Sequence, residues 1–273
     1  EKDTFVGIPA KCVYYPDNTF KYFIDFDALE TYLEKHREVG AMCVSRPTNP
    51  TGNVLTNDEI RHLSALAYKY NIPLFVDNAY GLPFPNIIFT EDAKPYWDSS
   101  VILSMSLSKI GLPSLRTGIV VAKPELIKAL ASVNSIVALA SGSLGQVISQ
   151  DLFATGKMKT LAESYVRPFY QQKSLFAQSC FKEFFAGTNY SVHKSEGAIF
   201  NWILMNDLKI PTKELYVKLK DQGVITVPGE YFFFGTPEHE HYDKCLRINY
   251  SRPEDEVREG IRIIAETYKK FSK

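Results

Sequence analysis

The 273-residue sequence has no excess of charge of either sign and no long apolar run, and each absence excludes a class of protein. Lysine plus arginine and aspartate plus glutamate both number 31, so the formal net charge is zero. This balance gives no electrostatic argument for binding nucleic acid or an anionic membrane surface. Because no run of about 18 apolar residues occurs, the sequence predicts no membrane-spanning helix.

Cysteine is scarce, and no two cysteines form a CxxC pair; the four are Cys12, Cys43, Cys180 and Cys245. Such scattered cysteines are typical of reduced thiols, which predicts a cytoplasmic location. His239 and His241 lie among acidic residues in PEHEHYD. Two histidines on an exposed polar loop are usually solvated, so we predict no metal site there.

The sequence also lacks an initiator methionine and a signal-like segment at its start. Its first residues, EKDTFVGIPAKCVYYP, have the character of a chain that enters in the middle of a fold. We therefore expect an upstream part of the same domain to lie outside this sequence.

Short apolar segments alternate with helical patterns in the first half of the chain. The predicted strands, rich in Val, Ile and Leu, are 41–45, 72–77, 100–106 and 117–123. One predicted helix spans 25–38 with Asp25 as its N-cap, and a second begins after Thr56 with Glu59 completing a capping box. This alternation predicts an α/β fold with a largely parallel sheet.

The pattern changes in the second half. Residues 124–185 are predicted to be helical, and the stretch 158–185 is expected to link two domains, with a kink or break at Pro168. The segments after it predict a smaller α+β unit with strands and helices at 197–205, 212–223, 245–251 and 254–271. We divide the chain into a large domain, residues 1–165, and a C-terminal domain, residues 166–273.

Chemically active side chains follow the predicted strands at the edge where open α/β sheets bind ligands. A lysine amine can form a Schiff base with an aldehyde, and a carboxylate can keep a pyridine nitrogen protonated. Asparagine and tyrosine can bind a phenolate oxygen, and hydroxyls with an arginine suit a phosphate. Pyridoxal phosphate carries all four features. The candidates are Asn49, Asp77, Tyr80, Ser106, Ser108, Lys109 and Arg116.

Four motifs, NPTG, DNAY, SLSK and LRTG in this order, resemble the fold type I aminotransferases of class I and II. About 28 residues separate Asn49 from Asp77, and about 32 separate Asp77 from Lys109, as in that family. The resemblance covers essentially the whole chain. It implies the PLP-dependent transferase fold, with a mostly parallel large domain and a smaller α+β domain, and it implies a homodimer.

The resemblance implies roles for three residues in the reaction itself. Lys109 would form the Schiff base with the cofactor and later shuttle the proton at the substrate α-carbon. Asp77 would pair with the cofactor ring nitrogen. Arg247, in LRIN, would clamp the substrate α-carboxylate in bidentate fashion. Arg252 lies nearby and is a competitor for that last role.

The resemblance also implies five contacts to cofactor oxygens. Asn49 and Tyr80 would bind the phenolate oxygen. Ser106, Ser108 and Arg116 would hold the phosphate.

Longer stretches, such as VSRPTNPTGNVLT and HKSEGAIFNWI, are similar to family members that transfer an amino group between valine and pyruvate. The implied donors are valine and alanine, and the implied acceptors are pyruvate and 3-methyl-2-oxobutanoate. Two alternatives stay open. The first is another reaction on the same cofactor, such as aromatic transamination or elimination. The second is a non-catalytic, aminotransferase-like regulatory domain.

Two further segments each allow two interpretations. VPGEYFFFG, at 227–235, either packs as an apolar loop or forms a wall over the substrate side chain. Gly197 either lets the backbone approach the substrate or serves a turn before a strand. A Ser–Lys hydrolase is disfavoured, because SLSK ends a predicted strand and such an enzyme has no use for Asp77 or Arg116.

Overall fold

The computed structural model describes residues 5–91 and 93–272. Its strands are β1 (Lys11–Tyr14), β2 (Thr19–Phe23), β3 (Met42–Ser45), β4 (Leu74–Asp77), β5 (Val101–Ser106), β6 (Gly118–Val121), β7 (Tyr190–His193), β8 (Phe200–Met205), β9 (Val227–Pro228) and β10 (Cys245–Asn249). Its α-helices are α1 (Phe26–Lys35), α2 (Asn57–Tyr70), α3 (Pro124–Val137), α4 (Leu144–Ala154), α5 (Lys157–Leu161), α6 (Arg167–Phe184), α7 (Thr212–Lys220) and α8 (Glu254–Phe271).

A four-stranded sheet, in the order β3–β4–β5–β6, carries the strand-end motifs. The first three strands are parallel, and β6 runs antiparallel to β5. The register places Asp77 between Ser45 and Ser104. The prediction of an α/β fold with a largely parallel sheet is therefore confirmed for this part of the chain.

The helices that cover this sheet begin at the predicted caps. Asp25 accepts a hydrogen bond from the Ala28 amide at 3.1 Å, which starts α1. Thr56 and Glu59 form the reciprocal capping box at the start of α2. The buried face of α2, including Leu63, packs on apolar side chains of β3, β4 and β5. The burial of this face holds the ends of the three parallel strands at one edge.

A six-stranded sheet, in the order β1–β2–β7–β8–β10–β9, forms the second unit. Its neighbours are antiparallel except for the parallel pair β2 and β7. Helices α6 and α8 bury one face of the sheet, and residues such as Ile203 and Leu246 form the core there. Strands β1, β2, β7 and β9 were not predicted. The division at residue 165 stays a prediction; β2 pairs with β7 from beyond it, and β1 pairs with β2.

The predicted helical region at 124–185 is a series of helices rather than one. A short π-helical turn, Ala162–Val166, precedes α6, and Pro168 lies in the first turn of α6. The helical backbone continues from α5 through this π-helical turn into α6, and Pro168 has no N–H to donate to the preceding turn, so the hydrogen-bond pattern changes there. The predicted interruption at Pro168 is confirmed.

The described residues contain no membrane-spanning helix, no metal cluster and no disulfide. Over 5–91 and 93–272, the structure contains no helix with the length and apolar character of a membrane span. The same residues hold no group of three His, Cys, Asp or Glu side chains arranged for a metal ion. All four cysteines are free thiols. The cytoplasmic location stays a prediction.

The segment between β9 and β10 packs on the outer face of the six-stranded sheet, and His241 anchors it. The expectation that His241 is solvated is wrong, because its side chain lies between two tyrosine hydroxyls and is 1 % exposed. One ring nitrogen, Nε2, lies 2.7 Å from the Tyr14 hydroxyl, and Nδ1 bonds the Tyr22 hydroxyl. Burial, together with a smaller effect of the neighbouring His239, lowers the pKa of His241 to about 4.

Acid is expected to destabilise the protein through His241. Its folded-state pKa lies below the value of 6.5 in an unfolded chain, so the unfolded state binds more protons once the pH falls below 6.5. Stability that is fully present above pH 6.5 is then lost as the pH falls toward 4. Urea titrations should show the free energy of unfolding falling by roughly 2 kcal/mol between pH 7 and pH 5 from this group.

The exposed His36, which bonds Glu38 on the surface, supplies a matched control for this prediction. The His36→Gln variant should keep the full pH dependence of the parent protein. The His241→Gln variant should lose a large part of the slope between pH 7 and pH 5. An unchanged slope in His241→Gln would contradict the assignment.

Candidate active site

The predicted polar side chains lie at the carboxyl edge of the four-stranded sheet. Asp77 is the last residue of β4, and Ser106 is the last residue of β5. Asn49 lies in the turn that follows β3. Because β3, β4 and β5 are parallel, their ends and the following turns occupy one edge. The topology therefore collects the strand-end groups as the sequence predicts.

The NPTG turn is pressed against the segment that leads into β8. Gly52 has a left-handed backbone with φ of 72°, and a Cβ there would lie 2.7 Å from the Gly197 carbonyl oxygen. A Cβ on Gly197 would lie 2.6 Å from the Ile87 carbonyl oxygen and 2.6 Å from Pro47 Cγ. Gly197 is therefore required for close backbone packing that joins the turn to the six-stranded sheet.

The Gly197→Ala variant is expected to be destabilised by about 3 kcal/mol, because its methyl group would overlap backbone and ring atoms that cannot move freely. Urea unfolding measures this change. The control is Gly260→Ala, since Gly260 lies in α8 with no atom near its Cβ position. That variant should be stabilised by about 1 kcal/mol through helix propensity. Equal stability of the two variants would show that Gly197 is not tightly packed.

Lys109 lies in a single 3-10 turn, Leu107–Ile110, directly after β5. The Ser106 hydroxyl caps this turn by accepting a hydrogen bond from the Ser108 amide at 3.1 Å. The Lys109 Nζ atom lies 5.4 Å from the centre of the Tyr80 ring. The turn thus directs the lysine amine toward the phenol that follows β4.

Tyr80 is 8 % exposed and packs edge-on against Phe200, with the ring centres 5.8 Å apart. Burial raises the pKa of Tyr80 to about 12, and the nearby Arg247 charge partly opposes this rise. The phenol is therefore protonated at neutral pH and can donate a hydrogen bond. Among the described residues, its hydroxyl has no hydrogen-bond partner.

Asp77 and Arg116 are both exposed at this edge. The Asp77 carboxylate accepts a hydrogen bond from the Ala79 amide at 3.1 Å. Arg116 has a left-handed backbone with φ of 47°, and its guanidinium donates to the Pro113 carbonyl at 3.4 Å. The backbone brings residue 117 to the turn that holds Lys109, since the Leu107 amide bonds the Thr117 carbonyl. The structure shows no bond from the Arg116 side chain to Ser106 or Ser108.

Arg247 lies on β10, directly opposite Trp202 on β8. Its Nη1 atom donates to Asn49 Oδ1 at 2.7 Å. The guanidinium carbon lies 4.5 Å from the centre of the Phe200 ring and 5.3 Å from that of Phe232. Burial lowers the pKa of Arg247, while the Tyr80 phenol opposes the shift.

A chain of contacts therefore joins the two sheets at the candidate site. It runs from Lys109 to Tyr80, then to Phe200, Arg247 and Asn49. Phe200 links these groups and was missed by the sequence analysis. Its only sequence signal was its place in the predicted strand 197–205. Arg252, the competitor of Arg247, instead bonds Glu256 on the surface.

The groups at this edge fit pyridoxal phosphate in chemistry. Within the described residues, the Lys109 amine and the Tyr80 hydroxyl have no hydrogen bond, and the Asp77 carboxylate bonds only the Ala79 amide. These three groups lie at the same edge of the sheet, bond no other side chain, and remain available for a ligand. The Asn49 side chain uses its oxygen for Arg247, which leaves its amide N–H groups free to donate.

Comparison with known proteins agrees with this chemistry. The family model for aminotransferase class I and II matches residues 2–264. The valine–pyruvate aminotransferase of Escherichia coli (strain K12) is 41 % identical over 267 residues, which are 97 % of this chain and 63 % of that protein.

Two solved structures are similar to the chain over most of its length. The valine–pyruvate aminotransferase of Salmonella typhimurium LT2 has a TM-score of 0.89 at 42 % identity and covers 96 % of this chain and 66 % of its own. A protein of Psychrobacter arcticum 273-4, described as an amino-acid aminotransferase, has a TM-score of 0.92 at 42 % identity, over 96 % of this chain and 61 % of its own.

These proteins establish the fold as that of the PLP-dependent transferases. The chain spans less than two thirds of the length of each of the three relatives. The family match nevertheless covers nearly all of the chain. The chain therefore belongs to the class I and II aminotransferases, a family that depends on pyridoxal phosphate.

Proposed function

We propose that the protein is a transaminase that exchanges an amino group between a small aliphatic amino acid and a 2-oxo acid, with valine and pyruvate as substrates. One observation carries the proposal: the Lys109 amine, the Tyr80 phenol and the Asn49–Arg247 pair lie in one connected series of contacts. The likeness to two valine–pyruvate aminotransferases supports the choice of substrates.

Lys109 has the central chemical role in this proposal. Its amine would attach the cofactor and, once released by the incoming amino acid, take the proton from the substrate α-carbon. When bound, pyridoxal phosphate supplies an electron sink for the charge that this proton removal leaves. The exposed Asp77 carboxylate at the end of β4 would keep the ring nitrogen protonated.

The remaining cofactor contacts follow from donor chemistry. Tyr80 would donate a hydrogen bond to the phenolate oxygen, because its raised pKa keeps the hydroxyl protonated. Asn49 would donate to the same oxygen through its free amide N–H groups. Ser106, Ser108 and Arg116 would hold the phosphate, and the exposed Arg116 guanidinium is available for it.

The substrate side of the site combines one cation with aromatic surfaces. The Arg247 guanidinium would bind the α-carboxylate, with Asn49 fixing its orientation. Phe200 and Phe232 surround the guanidinium and present apolar surface, which suits an aliphatic side chain. Discrimination by one methylene is worth only about 1–3 kcal/mol, so we expect overlapping activity on several small aliphatic amino acids.

The test is product analysis with the natural full-length protein loaded with pyridoxal phosphate. Valine and pyruvate should yield alanine and 3-methyl-2-oxobutanoate in equal amounts, measured by mass spectrometry. No alanine, together with turnover of aromatic donors or release of ammonia, would instead support one of the alternative reactions. No product from any donor, in a protein that binds the cofactor, would favour the regulatory alternative.

We further propose that the protein is a homodimer. Side chains at the end of α3 and in α4 are apolar and strongly exposed; among them Ile136 is 83 % exposed and Leu139 is 86 % exposed. Exposed apolar patches of this kind mark interaction surfaces. Light scattering after size-exclusion chromatography of the full-length protein should give twice the chain mass. A monomer at micromolar concentration would contradict the proposal.

A further inference from the structure

The segment that joins β9 to β10 carries no regular strand or α-helix, yet it is fixed at its beginning. A 3-10 turn, Gly229–Tyr231, opens it. Glu230 accepts hydrogen bonds from the Thr212 hydroxyl at 2.6 Å and from the Lys213 amide at 3.0 Å, at the start of α7. Phe232 follows directly. This turn fixes the backbone of Phe232, and its ring packs against Trp202 and the Arg247 guanidinium.

His241 holds the far part of this segment on the β1–β2 hairpin. Its ring nitrogens contact the Tyr14 and Tyr22 hydroxyls, so one nitrogen donates and the other accepts. Its backbone amide donates to His239 Nδ1 at 3.0 Å, which stiffens the turn. Nε2 also lies 3.4 Å from the Glu240 carboxylate.

The contacts continue from this anchor to Arg247. The Tyr22 hydroxyl also accepts from the Trp202 indole N–H at 3.4 Å. The Phe232 ring stands edge-on to Trp202, with the ring centres 5.6 Å apart. The same Phe232 ring lies 5.3 Å from the Arg247 guanidinium carbon, and Trp202 is the partner of Arg247 across the strands.

We propose that His241 is a positioning residue: by bonding Tyr14 and Tyr22 it fixes Phe232 and Trp202 against Arg247, and so sets the guanidinium in the orientation that receives the substrate carboxylate. The role toward the substrate carboxylate rests on the proposed function, whereas the orientation of Arg247 by His241 does not. His241 lies outside the site itself and acts only through this packing.

Two measurements test the inference in the full-length protein. The first is the rate at which phenylglyoxal modifies Arg247, followed by peptide mass spectrometry, with the exposed Arg252 as internal reference. The variant is His241→Phe, which keeps a ring but removes both hydrogen bonds. The rate at Arg247 should rise at least about fivefold, since the loss of even one of the two hydrogen bonds shifts a local opening equilibrium by that factor. The rate at Arg252 should not change.

The second measurement is the division of the effect between KM and kcat. In His241→Phe, KM for valine and for pyruvate should both rise about tenfold, since both substrates present a carboxylate to Arg247. The cofactor absorbance and kcat should change less than twofold. A control, Ile60→Val in the buried face of α2, removes one methyl group far from the segment and should change neither KM nor the reactivity of Arg247.

Milder variants keep the test decisive if His241→Phe does not fold. Tyr14→Phe removes one of the two hydrogen bonds at a half-exposed position, and Phe232→Leu removes the ring beside Arg247. Both should raise the reactivity of Arg247 and KM in the same direction. Unchanged reactivity of Arg247 in these variants would overturn the inference, as would a loss of cofactor and kcat without a change in KM. If the unmodified protein forms no alanine, the proposed function fails, and the Arg247 rates still decide the role of His241.

Discussion

Lys109→Ala is expected to lower the rate of alanine formation from valine and pyruvate by at least about a thousandfold, since the amine is both the attachment point and the proton carrier. The variant loses the nitrogen that lies 5.4 Å from the Tyr80 ring but leaves the Ser106 cap of the same turn intact. Alanine formation by mass spectrometry measures the effect. Borohydride reduction of the loaded protein should add the cofactor mass to the wild type and not to the variant.

The matched control is Lys128→Ala, which removes an exposed lysine from α3. It should retain full activity and the reduced adduct. If Lys109→Ala kept the adduct, another amine would have to be the attachment point. If it kept the activity, proton transfer at the α-carbon would have to come from another group.

The parts of the fold that could be predicted are those decided by neighbours in sequence. Asp25 and Thr56 start α1 and α2 because a side-chain oxygen accepts a hydrogen bond from the amide three residues later. The strand-end position of Lys109 follows from an apolar run and the turn after it. Local rules of this kind need no knowledge of distant contacts.

The parts that could not be predicted depend on pairing between distant segments. Strand β2 pairs in parallel with β7, which is more than 150 residues later in the sequence. His241 belongs to an acidic, polar stretch, and its burial between Tyr14 and Tyr22 becomes visible only when the β1–β2 hairpin is placed. The apolar segment at 227–235 allowed two interpretations for the same reason.

The candidate site likewise combines residues that the sequence predicted with contacts that only the structure shows. The sequence predicted Asn49 and Arg247 as separate contacts, one to the cofactor and one to the substrate. The structure joins them by a hydrogen bond of 2.7 Å across a sequence separation of 198 residues. Phe200 was missed because a strand phenylalanine is ordinarily a core residue, and only the packing against Tyr80 and the Arg247 guanidinium distinguishes it.

Arg247→Lys is expected to raise KM for valine and for pyruvate by about 30- to 150-fold, which corresponds to a loss of about 2–3 kcal/mol of binding free energy. Lysine keeps the positive charge, so the rise in KM measures the hydrogen-bonding geometry of the guanidinium and not its charge. A lysine ammonium cannot keep the bond to Asn49 Oδ1 and at the same time present two parallel N–H groups to a carboxylate. Steady-state kinetics with both substrates, at saturating pyridoxal phosphate, measure the change.

Arg252→Lys is the control, because Arg252 lies five residues later in the chain and bonds Glu256 on the surface. Its KM values should stay within twofold of the parent, since surface ion pairs contribute at most about 1 kcal/mol. Equal rises for both substrates in Arg247→Lys are required, because valine and pyruvate differ in the group at the α-carbon but share the carboxylate. A rise for only one of them would mean that Arg247 recognises the side chain, and a rise in Arg252→Lys alone would transfer the carboxylate site to Arg252.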